Sequence, residues 1–224
     1  MSQQILPFYL VCDESTSMDG EPIQAINSAL PDLHATIGAN PVVSDKVHFA
    51  IVAFNHEAQV LLPLSDLSDL ESVPRLEANG GTSYGEAFAL LRETITQDVD
   101  RLKAEGHRVY RPAVFFLSDG YPGDGDWDIA YKKLTDPGWG PRPNILAFGF
   151  GAADHRVIQQ VATVRAFMAD GTLGPSQALQ EFARSLTNSI VNSATRSSAA
   201  QDGAMSLDIP DDVPGYTTLP ADQI

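Results

Sequence analysis

The sequence predicts a three-layer α/β domain with a Rossmann-like, mostly parallel central sheet, one antiparallel edge strand and helices on both faces. Two observations predict this fold. Short apolar runs alternate with longer segments that carry apolar residues at helical spacing, which is the pattern of βαβ units. Two of the runs, residues 8–11 and 113–117, are hydrophobic at every position. Both faces of these strands are therefore expected to be covered, as in the middle of a parallel sheet.

The elements follow in order along the chain. The predicted parallel strands occupy residues 5–12, 47–54, 112–117, 145–150 and 165–168. Residues 59–64 follow the second strand after four intervening residues and predict the second arm of a hairpin, hence an antiparallel edge strand. The predicted helices span residues 22–37, 83–103, 126–134, 154–161 and 176–191, several with Asp or Ser near the start, where these side chains cap free backbone N–H groups.

These patterns predict one domain over residues 1–194. Residues 195–224 consist largely of Ser, Ala, Asp, Gly and Pro, with almost nothing apolar to bury. Because such a composition cannot offset the entropy cost of ordering the chain, residues 195–224 are predicted to form a disordered acidic tail.

The charge and composition exclude several classes of partner. The 29 acidic and 14 basic residues give a net charge of −15, which repels a nucleic-acid backbone and favours cations and basic surfaces. No apolar stretch approaches the roughly 18 residues of a membrane helix, and the first six residues lack the features of a secretory signal. Cys12 is the single cysteine, which excludes an internal disulfide and a thiolate zinc cluster. We therefore expect a monomeric protein in a reducing cytoplasm, with no membrane partner.

Oxygen-bearing side chains follow the predicted strands where each strand ends. Asp13, Ser15 and Ser17 come directly after the first strand, and Asp119 follows the strand at residues 112–117. Thr82 lies in a Gly-Gly-Thr-Ser run just before the second long helix. Because the carboxyl ends of parallel strands meet at one edge of a sheet, we expect these five side chains to converge there. The set contains only hard oxygen ligands, which suits Mg²⁺ or Mn²⁺ and not zinc or copper.

This arrangement resembles the von Willebrand factor A family, whose metal-ion-dependent adhesion site consists of D-x-S-x-S, a distant Thr in a Gly-rich context and a second Asp in S-D-G. The matching residues are Asp13, Ser15, Ser17, Thr82 and Asp119, in the order that the family has. The resemblance spans residues 5–192. The opening L-P-F-Y-L-V-C-D-E-S-T-S-M and the phrase T-S-Y-G-E-A-F are most similar to bacterial TerY-type proteins associated with tellurium resistance.

The resemblance implies a binding function and no catalysis. Ser15 and Ser17 would bind the metal directly, Thr82 directly or through water, and Asp13 and Asp119 mainly through waters. An Asp or Glu of a protein partner would fill the remaining position. The chain would then be a Mg²⁺-dependent adhesion or scaffold module in a tellurium-resistance or stress-response complex.

Two alternatives belong to other functional classes. A haloacid-dehalogenase-type phosphohydrolase also places an Asp after its first strand, but it needs D-x-D, and Ser15 replaces the second carboxylate that would act as general acid. A scaffold with a degenerate metal site is the other alternative, and the presence of all five expected residue types argues against it.

Two acidic segments have simpler interpretations than a ligand site. Residues 124–128 resemble the start of a calcium-binding EF-hand loop, but Ile129 and Thr135 stand where that loop needs Gly and Glu. The favoured interpretation is a loop ending in an Asp cap for the next helix. Four carboxylates of the predicted tail have two interpretations. They reach back to the metal site, or they only make the protein more soluble, and the second interpretation is favoured. They are Asp208, Asp211, Asp212 and Asp222.

Overall fold

The computed structural model describes residues 3–199 and 206–219, in which eight strands form one mixed sheet. The strands are β1 (Gln4–Asp13), β2 (Val47–Phe54), β3 (Ala58–Asp66), β4 (Arg108–Val109), β5 (Ala113–Ser118), β6 (Asn144–Gly149), β7 (Arg165–Ala169) and β8 (Tyr216–Leu219). Their order in the sheet is β3-β2-β1-β5-β6-β7-β8, and the short β4 pairs with the start of β1. The pairs between β2 and β7 along this order are parallel, whereas β3 and β8 are antiparallel to their neighbours.

The predicted fold class is confirmed, with one correction. All six predicted strands lie within two residues of the observed ones, and the hairpin of β2 and β3 forms the expected antiparallel edge. The sheet has a second antiparallel edge, however, because β8 pairs with β7.

The helices cover both faces of this sheet. They are α1 (Glu21–Gly38), α2 (Pro41–Ser44), α3 (Tyr84–Ala104), α4 (Trp127–Leu134), α5 (His155–Val161) and α6 (Pro175–Ala199). Buried side chains of α1 and α6 share one core with one face of the sheet, and those of α3 and α5 share a second core with the other face. The five predicted helices are confirmed, but α2 was not predicted, because four residues are too few to show a helical period. None of the described helices is long and apolar enough to cross a membrane.

Strand β1 lies in the middle of both cores. Its side chains alternate, so that Phe8 and Leu10 face the α1 and α6 layer while Tyr9 and Val11 face the α3 layer. All four are fully or almost fully buried. Burial of an apolar side chain of this size contributes about 1.5–3 kcal/mol. The polar group of the run, the Tyr9 hydroxyl, donates a hydrogen bond of 2.9 Å to Asp98.

The connections create a crevice at the carboxyl end of β1. The chain leaves β1 through α1 on one face and enters β2, whereas it reaches β5, on the other side of β1, through α3 on the opposite face. The loops that follow β1 and β5 therefore diverge. Such a reversal of strand order is the usual place for a ligand in an open α/β sheet.

The prediction of a disordered tail is wrong for the described part of residues 195–224. Helix α6 continues to Ala199, and β8 pairs in register with β7, from Ala166 opposite Leu219 to Ala169 opposite Tyr216. The segment has few apolar residues, but Val213 is 3% exposed and Tyr216 is 7% exposed, and Leu207 and Ile209 pack partly buried against the same core.

Tyr216 anchors the segment through its whole side chain. Its ring packs edge-on against Phe148, with the ring centroids 5.6 Å apart, and its hydroxyl donates a hydrogen bond of 3.1 Å to the carbonyl of Ala178 in α6. One residue thus joins the last strand, the central sheet and the last helix.

Asp208 fixes the same segment to α6 through polar contacts. Its backbone N–H donates to the Ser193 hydroxyl at 2.8 Å, and its carbonyl accepts the Ser189 hydroxyl. Its carboxylate pairs with Arg196 and accepts the side-chain amide of Asn192 at 2.9 Å. A composition rich in Ser and Asp therefore orders the chain here, because α6 offers matching donors and acceptors.

The acidic residues of this segment have local partners. Asp211 pairs with Arg165 at 3.0 Å, at the amino end of β7 and hence at the sheet edge opposite to the crevice. Asp208 is bound to α6, as described above, and Asp212 is exposed. Asp222 lies outside the described residues. The structure therefore does not place Asp208 or Asp211 at the predicted metal site.

We expect Tyr216→Ala to lower the free energy of unfolding by about 3 kcal/mol, because it removes a buried aromatic ring. The melting temperature should fall by roughly 6–12 °C in a thermal scan followed by circular dichroism. Tyr216→Phe is the matched control, since it keeps the ring and loses one hydrogen bond, at a cost of about 1 kcal/mol. Equal melting temperatures for wild type and Tyr216→Ala would show that β8 adds nothing to stability.

Candidate metal centre

The crevice is built on two carboxylates that end neighbouring strands. Asp13 is the last residue of β1 and is fully buried, and Asp119 directly follows β5 and is 6% exposed. The Ser118 hydroxyl donates a hydrogen bond of 2.5 Å to Asp13 Oδ2, and it accepts the backbone N–H of Gly120 at 3.2 Å. Ser118 therefore ties the ends of β1 and β5 together beneath the crevice.

The turn after β1 brings two more hydroxyls to Asp119. The backbone N–H of Ser15 donates to Asp13 Oδ1 at 2.8 Å, which fixes the start of the turn, and a single 3₁₀ turn (Thr16–Met18) follows. The hydroxyls of Ser15 and Ser17 lie 3.0 Å apart, and the Ser17 hydroxyl donates to Asp119 Oδ1 at 2.7 Å. Four of the five predicted site residues thus belong to one hydrogen-bonded cluster.

Thr82 is the fifth, and it reaches the cluster from a long loop. A methyl group added to Gly120 would come within 3.6 Å of Thr82 Oγ1 and 3.9 Å of Ser17 Oγ. The two hydroxyls therefore flank the same space above Gly120. The structure brings together all five residues that the sequence suggested as metal ligands.

Glu14 holds the Thr82 loop in place, a role that the sequence reasoning missed. Its side chain is buried, and its carboxylate accepts the backbone N–H of Glu77 at 2.8 Å. Its backbone carbonyl accepts the N–H of Asn79 at 2.7 Å, and the next residue, Ser15, already belongs to the site. Burial raises the pKa of the Glu14 carboxyl. The sequence signal for this role of Glu14 is an acidic residue placed between a buried strand and the predicted site.

Asp124 fixes the other side of the same loop. Its carboxylate accepts the backbone N–H groups of Tyr84 and Gly85 at 3.0 and 2.6 Å and the Ser83 hydroxyl at 3.0 Å. A carboxylate at a helix N-terminus binds free N–H groups and the positive end of the helix dipole. The predicted Asp cap on the next helix is corrected here, because Asp126 makes no side-chain cap bond to α4 and Asp124 caps α3 instead.

The electrostatics of the crevice are strongly anionic. Burial raises the pKa of Asp13 to about 6, against the effect of hydrogen bonds from Ser118 and Ser15, and the charge of Asp119 raises it further. Burial also raises the pKa of Asp119. Within the described parts of the chain, no ion pair involves either carboxylate. The two buried carboxylates therefore interact electrostatically, and neither has a basic ion-pair partner among the described residues.

The donors fit a hard divalent cation. In residues 3–199 and 206–219, no cluster of three or more His, Cys, Asp and Glu side chains is placed to hold a metal ion. A metal at this edge would therefore rely on the hydroxyls of Ser15, Ser17 and Thr82 beside two carboxylates. Oxygen ligands of this kind suit Mg²⁺ or Mn²⁺, and the uncompensated negative charge favours a cation.

Comparison with known proteins shows the family of the chain. The sequence model of the von Willebrand factor type A domain matches residues 8–184. An uncharacterized protein of Synechocystis, sll0103, is 29% identical over 182 residues, which are 77% of this chain and 39% of that protein. The chain thus spans about two fifths of the length of this relative.

Solved structures share the fold at low sequence identity. A von Willebrand factor type A protein from Catenulispora acidiphila has a TM-score of 0.62 at 18% identity, covering 84% of this chain and 43% of its own. The mussel byssus protein PTMP1, solved with a zinc-occupied MIDAS motif, has a TM-score of 0.59 at 19% identity, covering 85% and 48%. The pilus adhesin SpaC from Lactobacillus rhamnosus GG has a TM-score of 0.64 at 13% identity, covering 86% and 30%.

We expect Glu14→Ala to loosen the loop that carries Thr82, because the N–H of Glu77 loses its buried acceptor. Amide hydrogen exchange in residues 76–82 should become at least about tenfold faster, as measured by mass spectrometry on peptides. Glu14→Gln keeps a carbonyl oxygen at the same place and should exchange like wild type. Unchanged exchange in Glu14→Ala would mean that other contacts hold the loop.

Proposed function

The chain belongs to the von Willebrand factor type A family, and from this premise we propose that it is a protein-binding module that works through a divalent cation. Domains of this family generally mediate protein–protein interaction or adhesion. The cation is Mg²⁺ or Mn²⁺, and the partner supplies an Asp or Glu side chain to it.

One observation carries the proposal: two carboxylates without a basic partner converge with three hydroxyls at the crevice between β1 and β5. Ser15, Ser17 and Thr82 would provide neutral oxygen ligands, and Asp13 and Asp119 would hold the waters around the ion. When bound, the cation supplies an electrophilic position for an anionic ligand, since Mg²⁺ retains waters that a carboxylate can replace.

The choice of ion is part of the proposal. PTMP1 has zinc at its MIDAS motif. In this chain the described residues around the crevice are oxygen donors, and Cys12, although close in sequence, is buried on the α1 and α6 side of β1. Hard donors favour Mg²⁺ or Mn²⁺ over zinc.

A phosphohydrolase is disfavoured by the same residues. Position 15, two residues after Asp13, is a serine whose hydroxyl lies 3.0 Å from that of Ser17, so the general acid of that chemistry has no counterpart there. Domains of this family are typically interaction modules without catalytic activity. We therefore propose binding alone as the function of the site.

The cellular setting follows from the sequence phrases around Asp13 and Thr82. Their similarity to TerY-type proteins supports a place in a bacterial tellurium-resistance or stress-response complex, with the chain monomeric on its own. The single thiol of Cys12 fits a reducing cytoplasm.

We expect isothermal titration to find one Mg²⁺ or Mn²⁺ site per chain. Thr82→Ala and Asp119→Asn should each weaken the metal affinity at least about tenfold, because even indirect partners of a metal typically contribute that much. Thr36→Ala and Asp32→Asn, on the exposed face of α1, are the matched controls and should titrate like wild type. Stoichiometric zinc without any response to Mg²⁺ would contradict the proposed ion.

We expect capture of protein partners from cell extract to require the metal and the hydroxyls together. Partners retained by wild type in Mg²⁺ should be absent in EDTA and absent with Ser17→Ala, while circular dichroism shows that the variant stays folded. Ser28→Ala, an exposed serine of α1, is the control. Partners that Ser17→Ala retains in either buffer would show that the interface lies elsewhere.

A further inference from the structure

A groove between α3 and α4 begins beside the candidate metal centre. Its volume is about 700 Å³, and Ser83 and Asp124 line its near end. The Ser83 hydroxyl donates a hydrogen bond to the Asp124 carboxylate, and the N–H of Gly123 donates to the carbonyl of Thr82 at 2.6 Å. The groove and the crevice therefore share the same two loops, and a ligand at one extends naturally into the other.

Exposed apolar side chains line this path. Three large hydrophobic side chains are exposed among the described residues. Ile129, 53% exposed, lines the α4 wall of the groove, and Tyr121, 60% exposed, follows Gly120 at the crevice. The third is Val42, on α2. Ala89 and Ala130 complete the apolar part of the groove. Ile129 and the two alanines thus give the groove an apolar strip among polar residues, which suits a binding surface.

The near end of the groove is acidic. Glu86 on α3 and Asp126 before α4 line it, and neither takes part in an ion pair among the described residues. The carboxylate of Asp124 already accepts hydrogen bonds from Ser83, Tyr84 and Gly85 at the start of α3. The far end carries Arg92, whose guanidinium group is occupied by the carbonyl of Lys133 and the ring of Trp139. Glu93 and Lys133 line the groove farther from the crevice, so the charges nearest the crevice that lack an ion-pair partner are the carboxylates of Glu86 and Asp126.

Simple geometry sets the length of a matching ligand. The α3 wall runs from Ser83 to Gln97, about 21 Å at 1.5 Å per residue, which an extended peptide covers with about six residues. Glu86 lies three residues, or about 4.5 Å, along this wall. In an extended ligand, a cationic residue that contacts Glu86 therefore lies within about four residues, along the ligand's sequence, of the residue bound at the crevice.

From this juxtaposition we propose that the α3–α4 groove is the second half of the partner-binding surface. Its occupant is an extended protein segment in which an Asp or Glu anchor at the crevice is followed, within about four residues, by an apolar side chain and a Lys or Arg. The apolar side chain packs against Ile129, and the cation binds between Glu86 and Asp126. This inference rests on the proposed function of the crevice, and it specifies which acidic segments that site accepts.

The test uses the full chain and a library of ten-residue peptides with one fixed central Asp and random flanks, selected in Mg²⁺ and in EDTA. In Mg²⁺, wild type should enrich peptides with Lys or Arg within four positions on one side of the Asp. We expect an enrichment of about fivefold, because one exposed ion pair increases affinity by about that factor. The double variant Glu86→Lys/Asp126→Lys should lose this preference while still requiring the Asp and Mg²⁺. Ile129→Ala should lose the apolar preference alone.

The control is Asp32→Lys/Asp100→Lys, which makes the same change of charge at two exposed positions away from the groove and should select like wild type. If wild type and Glu86→Lys/Asp126→Lys enrich the same Mg²⁺-dependent acidic peptides, the groove inference is wrong and the metal-dependent function stands. If selection is the same in EDTA and in Thr82→Ala, the proposed function fails and the groove inference fails with it.

Discussion

The buried carboxylate of Asp13 sets the conditions that its surroundings satisfy. It ends a strand that pairs with β2 on one side and β5 on the other, so the sheet leaves it almost no contact with water. A buried charge without partners costs several kcal/mol, and the chain offsets this with the Ser118 hydroxyl and the N–H of Ser15. Each of these bonds also fixes a loop: Ser118 fixes the start of the segment that carries Asp119, and Ser15 fixes the turn that carries Ser17. The geometry of the crevice is thus a consequence of satisfying one carboxylate.

The sequence predicted the elements whose signals are local. Strands β1 and β5 were recognisable because they are apolar at nearly every position, and the long helices because their period repeats over several turns. Strand β8 gave no such signal, since only Val213 and Tyr216 are buried and their partners lie in the sheet and in α6. Composition argued for disorder because it counts apolar residues without their partners. Two well-placed anchors and the hydrogen bonds of Asp208 are enough to order the described part of the segment.

The five candidate ligands could also be predicted, because each follows a strand or precedes a helix at a position that topology brings to the same edge. The residues that hold them could not. Glu14 acts on Glu77, and Asp124 acts on Tyr84 and Gly85, contacts across 63, 40 and 39 residues of sequence. Such bonds depend on how loops pack, and no spacing rule encodes them. The sequence places Asp124 in the loop before the next helix, whereas the fold uses it at the start of a helix 40 residues earlier.

Asp124 also bears on why an acidic partner would need a cation. The N-terminus of α3 lies beside the crevice, and a free helix N-terminus is itself a site for anions. Here the N–H groups of Tyr84 and Gly85 already bind Asp124, so they are not available to a carboxylate of a partner. The chain as a whole carries a net charge of −15, and Asp13 and Asp119 add repulsion at close range. Attraction for an acidic anchor at this edge therefore has to come from a bound cation, and the groove carboxylates then select for positive charge in the residues that follow the anchor.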